Sequence, residues 1–448
     1  MRGGLPVISA VLVLGLLGLG AAGMVLRAGA ETGSATPATF QVRVGWWFGL
    51  ERLRVAAVGD ATLNVGAASG ETVKAGDSVV FSVASEGGQG LRAECGGKQV
   101  CGAVARLAPG PFALSAVVAE SKEVVREDLP YTVEVRAQGE GLTVIVEVPL
   151  EEYVAGVLMG EASRKSPPAM LQALAIGARD FAVANRGKHE RQGFDVCACS
   201  HCQNFRARIA EEAREAAKAT AGLVLSKNGR LVGVHYHTTC GGTTDSSAVV
   251  WGGENPLWLL GIADDASGSS PSLSGDAQVG AFLANAQSYC SHGPMYRWTR
   301  TVGREELEQR LRAGLAALGL QAWSGPLTDV RVARRTPGGR AMELLLAGEK
   351  GAVTVKGENI RWVFDGGKVG GAESLPSRLF VVEKAGDGSS YTIRGGGWGH
   401  GVGICLAGAE YMAQQGSSAA EILAHYYPGC VVSDMSAIGA AEAGRAAH

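Results

Sequence analysis

Three groups of residues in this 448-residue sequence have the types and spacing to do chemistry. The first is Glu161, which ends the run PLEEYVAGVLMGE a few positions before Pro167 and Pro168. A carboxylate at a helix end, just before a loop, can project into a cleft. Val157, Leu158 and Met159 can supply apolar walls that keep it protonated near neutral pH, which proton delivery to a glycosidic oxygen needs. From position alone, a lone helical Glu reads first as a solvated surface residue. The second group is His189, Cys197, Cys199, His201 and Cys202. Thiolates and imidazoles this close suit a tetrahedral zinc site. There is no second CxxC pair, so a disulfide or plain surface histidines are the alternatives. Cys240, in HTTCGG, can supply a fourth ligand or a disulfide partner.

The third group is split between HYHTTCGGTT and GGGWGHGVG. His235 and His237 fall on one side of a strand. His237 can reach substrate there, although one satisfied and one exposed histidine is the simpler reading. The glycine run lacks the Lys-Ser/Thr of a P-loop and does not match the dinucleotide fingerprint, which argues against phosphate binding. What remains is a tightly packed backbone that presents Trp398 and His400. An exposed Trp is a stacking platform for a sugar ring; the alternative is a core plug, with His400 bonded only to its own loop.

These residues need elements to hold them. Tyr153, Val157 and Glu161 recur at i, i+4 and i+8, one face of a helix. After a break at 163–166, Pro167 and Pro168 open a second helix through Leu171, Leu174, Ala178 and Phe181 that stops near Gly187. A Cys/His loop over 188–204 precedes a third helix at about 207–220. The strands LVLSKNG and LVGVHYHTTC come next, with Asn228-Gly229 as the turn between them. Residues 40–147 read as short strands punctuated by Gly, Asp and Ser. Residues 263–292 read as an irregular loop or insertion, and REELEQRLRAGLAALGL as a helix. Residues 328–384 read as strands again, so that 263–384 forms an insertion and second α/β domain. Over 385–432 the glycine loop enters a helix, SAAEILAHYYPG forms a last one, and the tail from 433 is expected to be loose.

The length is too great for one compact core. The net charge of -2 lacks the basic excess of a nucleic-acid binder. Arg2, an uncharged apolar run over 5–26 and an Ala-x-Ala site fit a signal peptide over residues 1–30. The run also has the roughly 20 residues that an uncleaved anchor needs. In either case the chain beyond the linker at 31–39 is expected outside the cytoplasm. Nine cysteines fit an exported chain. Cys95 with Cys101, and Cys405 with Cys430, are candidate bridges.

Taken in order, the motifs resemble those of the SpoIID family of stage II sporulation proteins, with its amidase-enhancer relatives. PLEEYVAGVLMGEASRKSPPAMLQALAIGARDFA resembles the signature of a helix ending in Glu, a Pro break and a second helix. DVCACSHCQNF, YHTTCGGTT, VWGGENPLWL, and GWGHGVG with EILAHYYPG after it are similar to four further segments. The match runs over about 145–430, and the weaker VRVGWWFG extends it toward the N-terminus.

The resemblance implies an α+β, two-domain architecture with a groove between the domains. The catalytic core is then 148–262 with its Cys/His loop, completed by 385–432. It implies a lytic transglycosylase acting on peptidoglycan glycan strands stripped of peptide. Glu161 is then the acid/base, Arg179 its partner, and His237 a further catalytic residue. Tyr236, Gln172, Trp398 and His400 would contact substrate. Zinc, structural or site-organising, would sit on Cys197 and Cys202 with His201 or His189, and no organic cofactor is expected. Gln172 stands where the family has lysine, Asp180-Phe181 where it has Thr-Tyr, and Ile404-Cys405-Leu406-Ala407 where many members have Met-Ser-Gln-Tyr-Gly; these changes touch groove polarity and substrate preference. A non-catalytic wall-binding activator of an amidase is the second reading. A zinc amidase or peptidase is the third, disfavoured because the ligand set is rich in cysteine.

Overall fold

A computed structural model describes residues 40–66, 70–84, 90–118, 124–252, 261–269, 272–285, 287–368 and 370–438. The expected leader or anchor, the linker, most of VWGGENPLWL and the last ten residues lie outside these. Among the described residues no helix is long and apolar enough to cross a membrane. Helices and strands are both present, with one large curled sheet, so the chain is α+β. Two compact units are distinguishable. Of the described residues, 40–164, 178–224 and 434–438 fall in the first, and 165–177 and 225–433 in the second.

In the first unit, strand β1 (Gln41–Ala57) is the spine of a 12-stranded sheet. Its alternating pattern buries Val42, Val44, Leu53 and Val55. It pairs antiparallel with Gly141–Pro149, from Gln41↔Pro149 to Leu50↔Leu142, and further along with Ser78–Val83 and Phe112–Val118. The register shifts after Gly45, where the short strand Val196–Cys197 joins in parallel. Glycine is required there: a Cβ would lie 2.8 Å from Phe48 and 2.9 Å from Phe194.

The sheet runs straight into helix α1 (Leu150–Glu161), with Pro149 at its N-cap. Glu151 and Glu152 occupy the first turn, where the positive end of the helix dipole favours them. Tyr153 and Val157 are buried, as their spacing predicts, and Glu161 ends the same face. Helix α2 (Pro168–Ala184) starts at Pro168, also as predicted. The third helix is Glu211–Ala219, shorter than expected at its start. Residues 207–210 stay outside it, with Ala210 extended at the N-cap, and 203–206 before them form a strap along α1, where the Arg206 N–H donates to Gly156 O at 3.0 Å.

In the second unit, Trp298–Gly303, Ser390–Gly395 and Phe380–Lys384 form one three-stranded sheet. Ser324–Arg335, Ala341–Lys350 and Ala352–Lys356 form another. Helix Arg304–Ala317 buries Leu307, Leu311 and Leu315 in the same core as Phe364 and Phe380. The segment over 263–292, expected to be irregular, contains a helix, Asp276–Asn285. Val279 and Leu283, four residues apart on one face, pack it against Leu379 and Val381. The tail is not loose at its start: Ser433 lies in the strand Val431–Asp434, and its hydroxyl is 2.6 Å from that of Ser226.

Neither expected disulfide is present, and none of the nine cysteines is in a disulfide. Cys95 faces Lys98 across its hairpin and Cys101 faces Arg92, so the two sit on different rungs. Cys405 lies with Cys240 and Cys290 rather than Cys430.

Candidate functional site

Glu161 is half-buried at the end of α1, and its Oε1 accepts the N–H of Asn204 at 2.7 Å. Two glycines make that contact attainable. A Cβ at Gly156 would lie 2.1 Å from the Phe205 ring, and one at Gly160 would lie 1.9 Å from Asn204 O. Spaced four apart, they clear one helical face for the strap. The strap is then held by its side chains. Phe205 stacks on Tyr153 at 5.3 Å and meets Trp46 edge-on at 5.4 Å. The Tyr153 hydroxyl, buried, donates to Gln203 Oε1 at 2.9 Å. Sequence reasoning missed these glycines, although their spacing on α1 was visible.

Arg179 does not stand beside Glu161. Its guanidinium, fully buried, forks onto the Glu151 carboxylate, with Nε at 3.0 Å from Oε1, and donates to the carbonyls of Leu223 at 2.8 Å and Ala217 at 3.2 Å. Glu151 is in the first turn of α1 and Glu161 in the last, about 15 Å apart at 1.5 Å per residue. Arg179 is therefore the buried anchor of the helix start. Glu151→Gln takes the carboxylate charge out of that buried fork and should cost on the order of 3 kcal/mol. The check is a lower melting temperature, with activity per folded molecule retained.

The Cys/His loop brings four of its five candidates together. His189, Cys197, His201 and Cys202 place one ligand atom each within 4.8 Å of one another. His189 Nε2 is 3.4 Å from Cys202 Sγ, and His201 Nδ1 is 3.5 Å from Cys202 Sγ and 3.7 Å from Cys197 Sγ. Ligands on one tetrahedral zinc lie about 3.5 Å apart, so the set fits Cys2His2 zinc. His189 Nδ1 is bonded to Gln192 Oε1 at 2.8 Å, an outer contact that fixes the ring for metal binding. Cys199 touches Cys197, with sulfurs 2.8 Å apart. Hydrogen bonds to Cys199 and Cys202 push the Cys197 thiol up, whereas the bond from Cys197 holds Cys199 down at about 6 and Cys202 at about 3. A metal here would grip the residue just before the strap. Cys240 belongs to a different cluster.

The second unit joins the two remaining motifs. Tyr236–His237 pairs in parallel with Ile404–Cys405, and Thr239 and Trp398 exchange backbone hydrogen bonds of 3.1 and 2.7 Å. Trp398 is 45% exposed and thus not a core plug. His400 is half-buried, its Nδ1 accepts from the Val402 N–H at 3.0 Å, and its ring meets His237 at 5.4 Å, Trp251 at 5.0 Å and His235 at 6.3 Å. Trp251, 46% exposed, was not among the predicted site residues and borders a cleft of about 510 Å³ that includes Arg334, Arg335 and Lys356. Tyr236 is half-buried on its strand, and Gln172 half-buried on α2.

His237 is buried, and its Nδ1 bonds to Val402 O at 3.1 Å. Burial first, then Arg340, holds it down at about 3, so it is neutral at pH 7 and no general acid. The folded pKa lies below the unfolded value of about 6.5, so between these values the unfolded chain binds the extra proton. This group's contribution is full above about 6.5 and is lost as pH falls toward 3. Thermal melts at descending pH should therefore show a larger loss for the wild type than for His237→Gln.

Residues 138–226 match the family model described as Stage II sporulation protein (SpoIID), and residues 245–403 match a Domain of unknown function (DUF8618). The chain is 27% identical over 308 residues to Stage II sporulation protein D of Bacillus amyloliquefaciens, covering 65% of this chain and 76% of that protein. It is 25% identical over 311 residues to the protein of the same name from Bacillus subtilis (strain 168), covering 65% and 77%. It is 26% identical over 254 residues to the Amidase enhancer of Bacillus subtilis (strain 168), covering 48% of this chain and 32% of that one.

Proposed function

We propose, from the premise that this chain carries a SpoIID-family domain at residues 138–226, that it is a lytic transglycosylase of peptidoglycan glycan strands, working outside the cytoplasm with Glu161 as its acid/base. The observation that carries the reading is the fixed carboxylate. Glu161 closes α1, half-buried, and the Asn204 N–H holds one of its oxygens at 2.7 Å. That bond fixes Oε1 and with it the orientation of the carboxyl group.

The chemistry needs one such group. Glu161 protonates the glycosidic oxygen between N-acetylmuramic acid and N-acetylglucosamine, and the C–O bond breaks. The muramoyl 6-hydroxyl oxygen attacks the oxocarbenium carbon, and its proton returns to Glu161. The product is a 1,6-anhydro sugar, and Glu161 ends as it began, without the second carboxylate that ordinary hydrolysis uses. Peptide-stripped strands are the preferred substrate on this reading, and the groove implied by the family resemblance is part of it. The Cys2His2 set would hold zinc as a structural clamp, since it offers four protein ligands and no open position.

One relative favours a second reading. The similarity to a protein named Amidase enhancer fits a wall-binding activator of an amidase, and the exposed Trp251 and Trp398 fit sugar stacking without cleavage. Incubation with peptide-free glycan strands, alongside an amidase assay on intact wall, separates the two. Shortened strands support the enzyme. Amidase stimulation with uncut glycan moves the assignment to the activator.

A further inference from the structure

We propose that the second unit holds a metal ion of its own, a buried structural zinc bound by Cys240, Asp264, Cys290 and Cys405. The proposal is independent of the activity assigned above. These residues come from four separate stretches of chain. Even so, their ligand atoms lie within 4.8 Å of one another, and all four residues are buried. Cys240 Sγ is 3.1 Å from Asp264 Oδ2 and 3.4 Å from Cys290 Sγ. Three sulfurs and one carboxylate oxygen at these distances form a closed S3O set, which suits zinc and leaves no open position for catalysis.

The surroundings are built for negative sulfur. The Cys240 N–H donates to Cys405 Sγ at 3.2 Å, the Gly242 N–H to Cys240 Sγ at 3.3 Å, and the Gly408 N–H to Cys405 Sγ at 3.5 Å. Ser288 Oγ is 3.4 Å from Cys290 Sγ. Cys405 is also the N-cap of helix Leu406–Gln414, the end whose dipole favours an anion. Asp264 turns Oδ2 toward the sulfurs, and its Oδ1 accepts from the Tyr426 hydroxyl at 2.8 Å. Such outer contacts orient metal ligands. Gly408 makes the room, since a Cβ there would lie 2.1 Å from the Tyr426 oxygen and 2.8 Å from the carboxylate.

Charge compensation extends further out. Arg340, buried, donates to the carbonyls of Cys240 and Thr243 at 2.7 Å, and Arg297 donates to that of Gly241 at 2.9 Å. Two guanidinium groups thus grip the backbone that carries Cys240. A Cys240–Cys290 disulfide is the competing outcome. It would leave Cys405 unbridged and a fully buried Asp264 with His425, 3.6 Å away, as its one basic neighbour within 4 Å among the described residues, because Arg340 is paired with Asp245. A buried carboxylate compensated only by a histidine and a hydroxyl is costly beside one bound to a metal. The metal would staple the HTTCGG strand, the start of the helix after GWGHGVG and the turn at Cys290 together.

The test is metal content by elemental mass spectrometry of the full chain, purified with zinc or cobalt(II) as the added metal. Cys197→Ser/Cys202→Ser, which disables the other cluster, should still retain a stoichiometric ion and show cobalt–thiolate charge-transfer absorption. Adding Cys290→Ser should remove both signals. Metal-free Cys197→Ser/Cys202→Ser protein overturns the proposal. So does a Cys240–Cys290 disulfide found by non-reducing peptide mapping of the wild type, a measurement that holds even if the triple variant fails to fold.

Discussion

Glu161→Gln should lower the rate of glycan-strand cleavage by roughly 10²- to 10⁴-fold, the usual contribution of a positioned general acid. The substitution is isosteric, and its amide oxygen can still accept the Asn204 N–H that now holds Oε1 at 2.7 Å. The strap and the helix end should therefore keep their places, and the melting temperature should hardly move. What is lost is the titratable proton and the carboxylate charge. The measurement is the steady-state rate of strand shortening, read beside a thermal melt. A variant that cleaves at the wild-type rate would remove Glu161 from the mechanism. One that unfolds would show the carboxylate to be structural.

Gly160→Ala should damage the same site from beneath. In a helix the change alone would be favourable by about 1 kcal/mol. Here the new Cβ would sit 1.9 Å from Asn204 O, and the next nearest atom, also in the Asn204 backbone, is at 2.6 Å. Backbone cannot swing aside as a side chain can, so the strap must move. Overpacking of this kind costs roughly 1–3 kcal/mol, which outweighs the helix gain. The larger consequence is functional, because the strap carries the donor that fixes Glu161. A displacement of about 1 Å at a catalytic group can cost on the order of 10²-fold in rate. The variant should melt a few degrees lower and cleave slowly. Unchanged cleavage in a stably folded Gly160→Ala protein would show that the Asn204 contact does not position the carboxylate.

Local features were legible in the sequence, and contacts distant along the chain were not. The 3.6-residue period placed Tyr153, Val157 and Glu161 on one face of α1, and proline chemistry placed the start of α2 at Pro168. Soft ligands within a 14-residue span pointed to the Cys2His2 set, which the structure gathers. The helix Asp276–Asn285 was obscured by its Ser- and Gly-rich flanks, although Val279 and Leu283 carried the right spacing. The function of Gly156 and Gly160 depends on a strap more than 40 positions away, and nothing local announces it. Cys240, Asp264, Cys290 and Cys405 span 165 positions, so their convergence is a property of the fold alone. Arg179 was matched to Glu161 by family resemblance. The structure pairs it with Glu151, which lies a full helix length from the proposed acid.

The most direct test of the central claim is cleavage of peptide-free glycan strands in ¹⁸O-labelled water, with mass spectrometry of the new ends. Internal attack by the 6-hydroxyl uses no solvent oxygen, so the muramoyl ends should be anhydro sugars that lack the label and are one water lighter than a reducing end. Reducing ends carrying ¹⁸O would mean that water is the nucleophile, and the transglycosylase assignment would be wrong.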